Sequence, residues 1–233
     1  MSALRSLLYA IIFYPATLAL AVTGIIAGLF GRKPMLSAIV AWADLNHWLA
    51  KHVLGITTRV EGTIPPGPSL IAVKHQSMFE TTEMVRLTDL PVIVVKRELT
   101  QIPFVGQLMR RYGVIAVERS AGAKALRNLI EEGKNALADG RSVIIYPEGT
   151  RVMPGETPEL KPGFAALYRT LGLPVVPVAL DSGRVFGKGL GKRSGVVTFK
   201  VGKTIPAGLT RREIEERTHA AINALELAPE SRA

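Results

Sequence analysis

The segment from Val73 to Glu80 holds the residues best suited to acid/base chemistry. His75 follows an apolar run, and Glu80 comes five positions later in a chain with only four histidines. On a continuous helix, residues five apart point about 140° away from each other, so a working pair needs a strand-to-helix turn between them. A carboxylate that holds one imidazole nitrogen leaves the other free to accept a proton. A purely structural hydrogen bond is the alternative.

Two predicted elements flank this pair and would supply the turn. Residues 69–73 are typical of a buried strand and residues 78–87 of a helix. The same alternation continues along the chain and predicts an α/β fold, with a mostly parallel or mixed sheet covered by helices. The predicted strands are 57–61, 69–74, 91–95, 113–117, 142–146, 174–180 and 196–201. The predicted helices lie near 78–88, 104–111, 121–139, 163–171 and 210–225.

A second group of residues is suited to binding phosphate. The tetrapeptide Glu148-Gly149-Thr150-Arg151 directly follows a predicted strand, and α/β sheets bind ligands at the carboxyl ends of their strands. Gly149 allows close approach of the backbone, Thr150 offers a hydroxyl and an amide, and Arg151 can grip a phosphate with two nitrogens. We expect Glu148 to orient Arg151 or Lys161, because an acidic side chain should not touch phosphate itself.

Three further basic residues lie at predicted strand ends. Arg119 ends a strand as Arg151 does, and a surface ion pair is the alternative for each arginine. Lys96 and Lys74 could stabilise an oxyanion or meet the phosphates of a donor. A solvated strand end is the alternative for each lysine.

Four blocks occur in a recognisable order. The first contains His75 and Glu80, and the others are 96–119, 146–163 and 175–180. Together they resemble the glycerolipid acyltransferase family, most closely its bacterial 1-acyl-sn-glycerol-3-phosphate acyltransferase members, over roughly residues 60–205. One position departs from the family, whose first block is usually His-x4-Asp. The resemblance implies that His75 and Glu80 are catalytic. It also implies that the glycerol phosphate of the acceptor is bound by Arg119, Glu148, Gly149, Thr150 and Arg151.

The resemblance also implies a reaction. The expected enzyme is an O-acyltransferase that moves a fatty acyl chain from acyl-CoA or acyl-carrier protein to a lysophospholipid, with 1-acyl-sn-glycerol-3-phosphate as acceptor and phosphatidic acid as product. Another lyso-lipid acceptor, such as lyso-ornithine lipid, is one alternative. A non-catalytic membrane lipid-binding protein is the other. Since the chain has neither G-x-S-x-G nor H-E-x-x-H, direct attack by the acceptor hydroxyl, with His75 as base, requires no metal or other cofactor.

Composition bounds the partners independently. The chain has no cysteine, which excludes thiol nucleophiles, disulfides and thiolate metal sites. Its net charge is +10, yet no nucleic-acid motif is present and the basic residues are not interleaved with aromatics. Such a charge suits an anionic membrane surface better. Segment 181–203 has six basic residues and one acidic residue, a net of +5, and is expected to touch anionic lipid or an acidic donor, or to be merely solvated.

The amino-terminal region predicts membrane association. Residues 6–31 carry no charge, and this length exceeds the about 20 residues that cross a bilayer as a helix. Pro15 interrupts the run, so a span and an interfacial helix both stay open, and a signal peptide is a further alternative. Residues 35–54 predict an amphipathic helix whose tryptophans, Trp42 and Trp48, suit the headgroup level.

We therefore expect two parts. Residues 1–55 would form membrane-associating helices and residues 56–233 an α/β acyltransferase domain. The helices should anchor the chain through lipid, because their apolar surface has no evident partner in the domain. The expected location is the bacterial inner membrane, with the active site on the cytoplasmic face.

Overall fold

The computed structural model describes residues 2–88, 90–118, 122–189 and 191–226. Within them the chain forms one sheet of seven strands in the order β1-β7-β6-β2-β5-β3-β4. The strands are β1 (Ile56–Glu61), β2 (Leu70–Val73), β3 (Val92–Lys96), β4 (Ile115–Val117), β5 (Val143–Ile145), β6 (Val175–Leu180) and β7 (Gly195–Val201).

The sheet is parallel except where β6 meets β7. Strand β2 lies in its middle, between β6 and β5, and all four of its residues are buried. A strand covered on both faces favours a continuous apolar run, and the sequence Leu-Ile-Ala-Val supplies one. The predicted α/β fold with a mostly parallel sheet is confirmed.

Seven α-helices occur in the described residues. They are α1 (Ser2–Ala27), α2 (Arg32–Leu49), α3 (Phe79–Leu87), α4 (Val105–Tyr112), α5 (Gly122–Ala138), α6 (Pro162–Leu171) and α7 (Arg211–Ile222). A π-helical segment, Ala50–Leu54, follows α2, and short 3-10 turns occupy Arg97–Gln101 and Ser182–Arg184. Thr210 and Glu213 form a capping box at the start of α7.

The helices bury the two faces of the sheet in two apolar clusters. Ile71 and Val73 of β2 point into a cluster with α1, α2 and α3, whereas Leu70 and Ala72 point into the opposite cluster with α5, α6 and α7. This alternation follows from the two-residue period of a strand. The amino-terminal helices thus cover one face of the sheet.

The expectation that the apolar surface of these helices lacks a partner in the domain is wrong for their inner faces. Tyr9 and Phe13 of α1 are 2% and 1% exposed and belong to the core. A buried polar chain also joins the elements, since the Tyr9 hydroxyl donates to Asn46 Oδ1 at 2.5 Å and Asn46 Nδ2 donates to Thr82 Oγ1 of α3 at 2.6 Å. The division into 1–55 and 56–233 stays a prediction.

The outer face of α1 is apolar and uncovered. Leu7 is 57% exposed and Ile11 60%, and helical spacing places them on one side. The helix continues through Pro15. In the described part of the chain, α1 alone is long and apolar enough to cross a membrane, judged by length and composition.

Candidate active site

His75 and Glu80 meet at the centre of the sheet's carboxyl edge. His75 lies in the loop that joins β2 to α3, and Glu80 lies in the first turn of α3. His75 Nδ1 is 2.9 Å from Glu80 Oε1. The predicted turn between strand and helix therefore brings the two side chains together. Since Nδ1 is occupied, Nε2 is the nitrogen left for a substrate.

The Glu80 carboxylate is fully buried and surrounded by donors. Its Oε1 also accepts the N–H groups of Gln76 and Ser77, at 2.7 and 2.6 Å. Its Oε2 accepts the hydroxyls of Ser77 and Ser182, at 2.6 and 2.7 Å. Burial raises the pKa of Glu80. The hydrogen bond and the charge of His75, together with the hydrogen bonds of Ser77, outweigh burial and hold the pKa below its ordinary value. The group is therefore a carboxylate at neutral pH.

Tyr146 forms one wall of the site. Its ring stacks on the imidazole of His75, with centroids 4.2 Å apart and planes 27° from parallel. Burial, and then the charge of Glu80, raise the pKa of Tyr146 well above its ordinary value, so the phenol stays neutral. Stacking and the bond to Glu80 together fix the plane of the His75 ring.

The expectation that Glu148 orients Arg151 or Lys161 is wrong, because both of its oxygens face the His75 loop. Its Oε2 accepts the backbone N–H of His75 at 2.9 Å, and its Oε1 lies 2.7 Å from Lys74 Nζ. The reason is register: β5 is parallel to β2, with Ile145 beside Ala72. The loops that follow the two strands therefore begin side by side, and His75 and Glu148 each lie three positions past that pair. Burial raises the pKa of Glu148, opposed by the hydrogen bond from Lys74.

Lys74 is neither a solvated strand end nor a donor to a ligand. Its side chain is fully buried, and Nζ donates to Glu156 O at 2.7 Å and Asn223 Oδ1 at 2.6 Å besides contacting Glu148. Two hydrogen bonds and an ion pair with Glu148 therefore hold this ammonium inside the protein. Lysine is usually exposed, which is why its position in the sequence suggested a different role.

The segment after Glu148 forms a tight turn that leads to exposed groups. Gly149 has φ of 70°, and a Cβ there would lie 2.9 Å from Lys161 Cγ, so glycine is required for both conformation and space. Thr150 and Arg151 are exposed beyond it. Burial, and then the charge of nearby Arg151, lower the pKa of Lys192. Lys192 Nζ itself donates to Gly187 O and Gly189 O at 2.7 Å each, and Arg151 is an exposed cation beside the turn.

One predicted site residue, Lys96, is not joined to this arrangement. Lys96 ends β3, where its Nζ is 2.8 Å from Glu98 Oε1, and its side chain is 51% exposed. Arg119 lies outside the described residues. In the described ranges, no group of three or more His, Asp or Glu side chains could hold a metal ion.

An apolar cavity of about 120 Å³ lies between the amino-terminal helices and the sheet. Its lining includes Thr81, the residue after Glu80, and is otherwise mostly aliphatic. The aliphatic part comes from α1, α2, α3, β3 and α4 and includes Leu20, Ile39, Val85, Val95 and Leu108. The cavity could hold a hydrocarbon chain.

Sequence reasoning missed two residues that complete the pair. Ser77 lies within the first block, but only the turn geometry shows that its hydroxyl binds Glu80. Ser182 follows β6, more than 100 residues from Glu80 in sequence, and its contact arises because β6 lies beside β2. No local pattern indicates such a contact.

Comparisons with known proteins converge on one kind of protein. A family model described as acyltransferase matches residues 56–181. The chain is 36% identical over 169 residues to the 1-acyl-sn-glycerol-3-phosphate acyltransferase of Pseudomonas aeruginosa. This match covers 71% of this chain and 66% of that protein. It is 32% identical over 151 residues to the human 1-acyl-sn-glycerol-3-phosphate acyltransferase beta, with coverages of 63% and 54%. The matched segments therefore span about two thirds or less of these relatives.

A crystal structure shows the same fold. It is that of the 1-acyl-sn-glycerophosphate (LPA) acyltransferase from Thermotoga maritima, with a TM-score of 0.76 and 24% identity. The superposition covers 98% of this chain and 99% of that one. It therefore includes the amino-terminal helices as well as the sheet.

Proposed function

The chain belongs to the acyltransferase family, and from this premise we propose that it transfers a fatty acyl chain to the free hydroxyl of 1-acyl-sn-glycerol-3-phosphate, giving phosphatidic acid. The donor would be a thioester, either acyl-CoA or acyl-carrier protein. The observation that carries the proposal is the 2.9 Å contact between His75 Nδ1 and the ionised Glu80. It leaves Nε2 as a base, in a side chain that is 17% exposed.

The proposed reaction has two steps. In the first, His75 Nε2 takes the proton of the acceptor hydroxyl while the oxygen attacks the thioester carbonyl, so a C–O bond forms and an oxyanion develops. In the second, the oxyanion collapses, the C–S bond breaks, and the leaving thiolate takes the proton back from His75. Glu80 stabilises the imidazolium between the two steps, because its negative charge lies against Nδ1–H.

The surroundings of the pair support lipid substrates. Arg151 is exposed and offers the acceptor's phosphate both a positive charge and a fork that matches two phosphate oxygens. The apolar cavity beside Thr81 offers a place for one acyl chain. The basic Arg151 would thus suit a charged headgroup, and the apolar cavity would suit a hydrocarbon tail.

The uncovered face of α1 supports association with a membrane. Side chains such as Leu7, Ile11 and Leu18 are 57%, 60% and 47% exposed, and contiguous exposed apolar surface of this kind favours contact with lipid. We propose that the protein resides at a bacterial inner membrane with its site on the cytoplasmic face. There, a membrane-embedded acceptor and a water-soluble donor would both reach His75.

The test is a transfer assay. Purified protein is incubated with radiolabelled acyl-CoA or acyl-carrier protein and a panel of lyso-lipids that includes lysophosphatidic acid and lyso-ornithine lipid. We expect labelled phosphatidic acid, and a loss of about 10²- to 10⁴-fold in kcat for a folded His75→Ala variant. Label in the acylated product of another lyso-lipid, and not in phosphatidic acid, would show that the acceptor differs from the proposed one. No transfer to any lyso-lipid, or equal transfer by His75→Ala, would reject the proposal.

A further inference from the structure

The loop that carries His75 is held by a carboxyl-terminal turn that the reaction itself does not use. This turn, residues 223–226, follows α7. Asn223, which is 1% exposed, accepts a hydrogen bond from Lys74 Nζ at 2.6 Å. Glu226 accepts one from Gln76 Nε2 and another from Gly155 N at 2.5 Å. The two residues that flank His75 are therefore both bound by the same turn.

On one side of His75, the contact is relayed through buried charge. Lys74 is fully buried, so its ammonium depends on every oxygen around it, because a buried charge without partners is strongly unfavourable. Asn223 and Glu148 supply two of these oxygens. Glu148 in turn holds the backbone N–H of His75 with its other oxygen, at 2.9 Å. A change at Asn223 therefore reaches His75 through three contacts in series, Asn223 to Lys74, Lys74 to Glu148, and Glu148 to the backbone of His75.

On the other side, the contact is relayed through an amide side chain. Gln76 is 1% exposed and uses both ends: its Oε1 accepts Gly183 N at 2.9 Å, and its Nε2 donates to Glu226. The Gln76 backbone N–H also binds Glu80 at 2.7 Å. Glu226 thus supports a residue that touches the His75 partner directly.

We propose that Asn223 and Glu226 are positioning residues of the acyltransferase site, which act through Lys74 and Gln76 to fix the orientation of His75. The inference rests on the proposed function for its kinetic consequence. His75 is the reacting group, and a misplacement of about 1 Å in such a group can cost about 100-fold in rate, whereas neither Asn223 nor Glu226 is a proposed substrate contact. Loss of the turn's contacts should therefore lower kcat and leave KM unchanged.

The variants are Asn223→Ala and Glu226→Ala in the full-length protein. The matched control is Glu216→Ala, because Glu216 is a carboxylate of α7, the helix that precedes the turn, and it is 62% exposed and bonded to Arg212 of the same helix. We expect kcat to fall about tenfold in each test variant, with the KM of both substrates within about twofold of wild type. The control should match wild type. Glu226 is only half-buried, so its variant carries the test if Asn223→Ala fails to fold.

A double-mutant cycle separates positioning from general loosening. If Glu226 acts through Gln76, then Glu226→Ala should have almost no effect on kcat in a Gln76→Ala background, since the relay is already broken. Equal losses in both backgrounds would overturn the proposal. So would a kcat for Asn223→Ala and Glu226→Ala that equals that of Glu216→Ala.

One readout does not need turnover. In 15N-histidine-labelled protein, the ring N–H of His75 that faces Glu80 gives a signal, assigned by its absence in His75→Ala. We expect this proton to exchange with water several-fold faster in Asn223→Ala and Glu226→Ala than in wild type or Glu216→Ala. Unchanged exchange would overturn the positioning role. Changed exchange in a protein that acylates no lyso-lipid would uphold it and reject the proposed function alone.

Discussion

Replacement of Glu80 by glutamine would separate the charge of this side chain from its shape. A glutamine fits the same place, because its oxygen can keep the N–H donors of His75, Gln76 and Ser77. Its amide can donate to the hydroxyls of Ser77 and Ser182, which rotate to accept. The folded structure should therefore survive. What is lost is the negative charge beside the imidazolium that forms during the reaction.

The size of the loss follows from that geometry. A hydrogen bond between charged groups contributes about 1 to 2 kcal/mol more than a neutral one. Because Glu80 is fully buried, solvent does not screen its charge. Each 1.4 kcal/mol, roughly, is tenfold in rate, so kcat should fall about 5- to 30-fold. Glu80→Asp keeps the charge but ends about 1.5 Å short, the length of one C–C bond, and should lose less.

The assay is steady-state transfer with saturating donor and acceptor, and Tm is recorded for each variant. We expect the order wild type, Glu80→Asp, Glu80→Gln for kcat, with a smaller effect on either KM. A folded Glu80→Gln protein, shown by a cooperative melt, that turns over within about twofold of wild type would refute the reasoning, because the charge of Glu80 would then contribute nothing measurable to the rate.

Three more outcomes are expected. Arg151→Lys keeps the charge but loses the fork, so KM for the lyso-phospholipid should rise while KM for the donor is unchanged; a shift in donor KM would place Arg151 in the thioester site instead. Leu7→Glu, on the uncovered face of α1, should release the protein from vesicles without lowering Tm. Phe13→Ala, at a position 1% exposed, should instead lower the free energy of unfolding by about 3 to 5 kcal/mol. Vesicle flotation measures the first effect and urea-induced unfolding the second, and equal behaviour of the two variants would contradict the difference between the two faces. The pKa of Glu80 is held below its ordinary 4.5, so its ionised form stabilises the fold above about pH 4.5, and that contribution is lost as the pH falls through the lowered pKa. The Tm difference between wild type and Glu80→Gln should therefore shrink at low pH. A difference that stays constant with pH would contradict the lowered pKa.

Local patterns predicted much of the fold. The strand at 69–74 and the helix near 78–88 were visible as a buried apolar run and a change of period, and the structure has β2 and α3 there. The capping box of Thr210 and Glu213 is a signal of the same kind, complete within four residues. The approach of His75 to Glu80 also needed only the turn between neighbouring elements.

The rest depends on burial and on contacts that are distant in sequence. Lys74 looked like an exposed strand end, and only the docked carboxyl-terminal turn and Glu148 make it a buried cation. Likewise, Tyr9 and Phe13 fit a lipid-facing helix by composition, because an apolar side chain does not indicate whether protein or lipid covers it. Removal of residues 1–55 would thus expose the core, and the point substitutions above are the better test of anchoring.

The wide sequence separation of the contacts around the His75 loop has a consequence for biosynthesis. Lys74 and Asn223 are 149 positions apart, so a ribosome has made both members of the His75 and Glu80 pair long before the last support of their loop exists. Until then the Lys74 ammonium is better hydrated than buried, and closure of so long a loop is slow. A nascent chain that ends before Asn223 therefore has the His75 and Glu80 pair without the support of the turn. On the positioning role proposed above, we expect the full rate only after translation has passed residue 226 and the turn has docked.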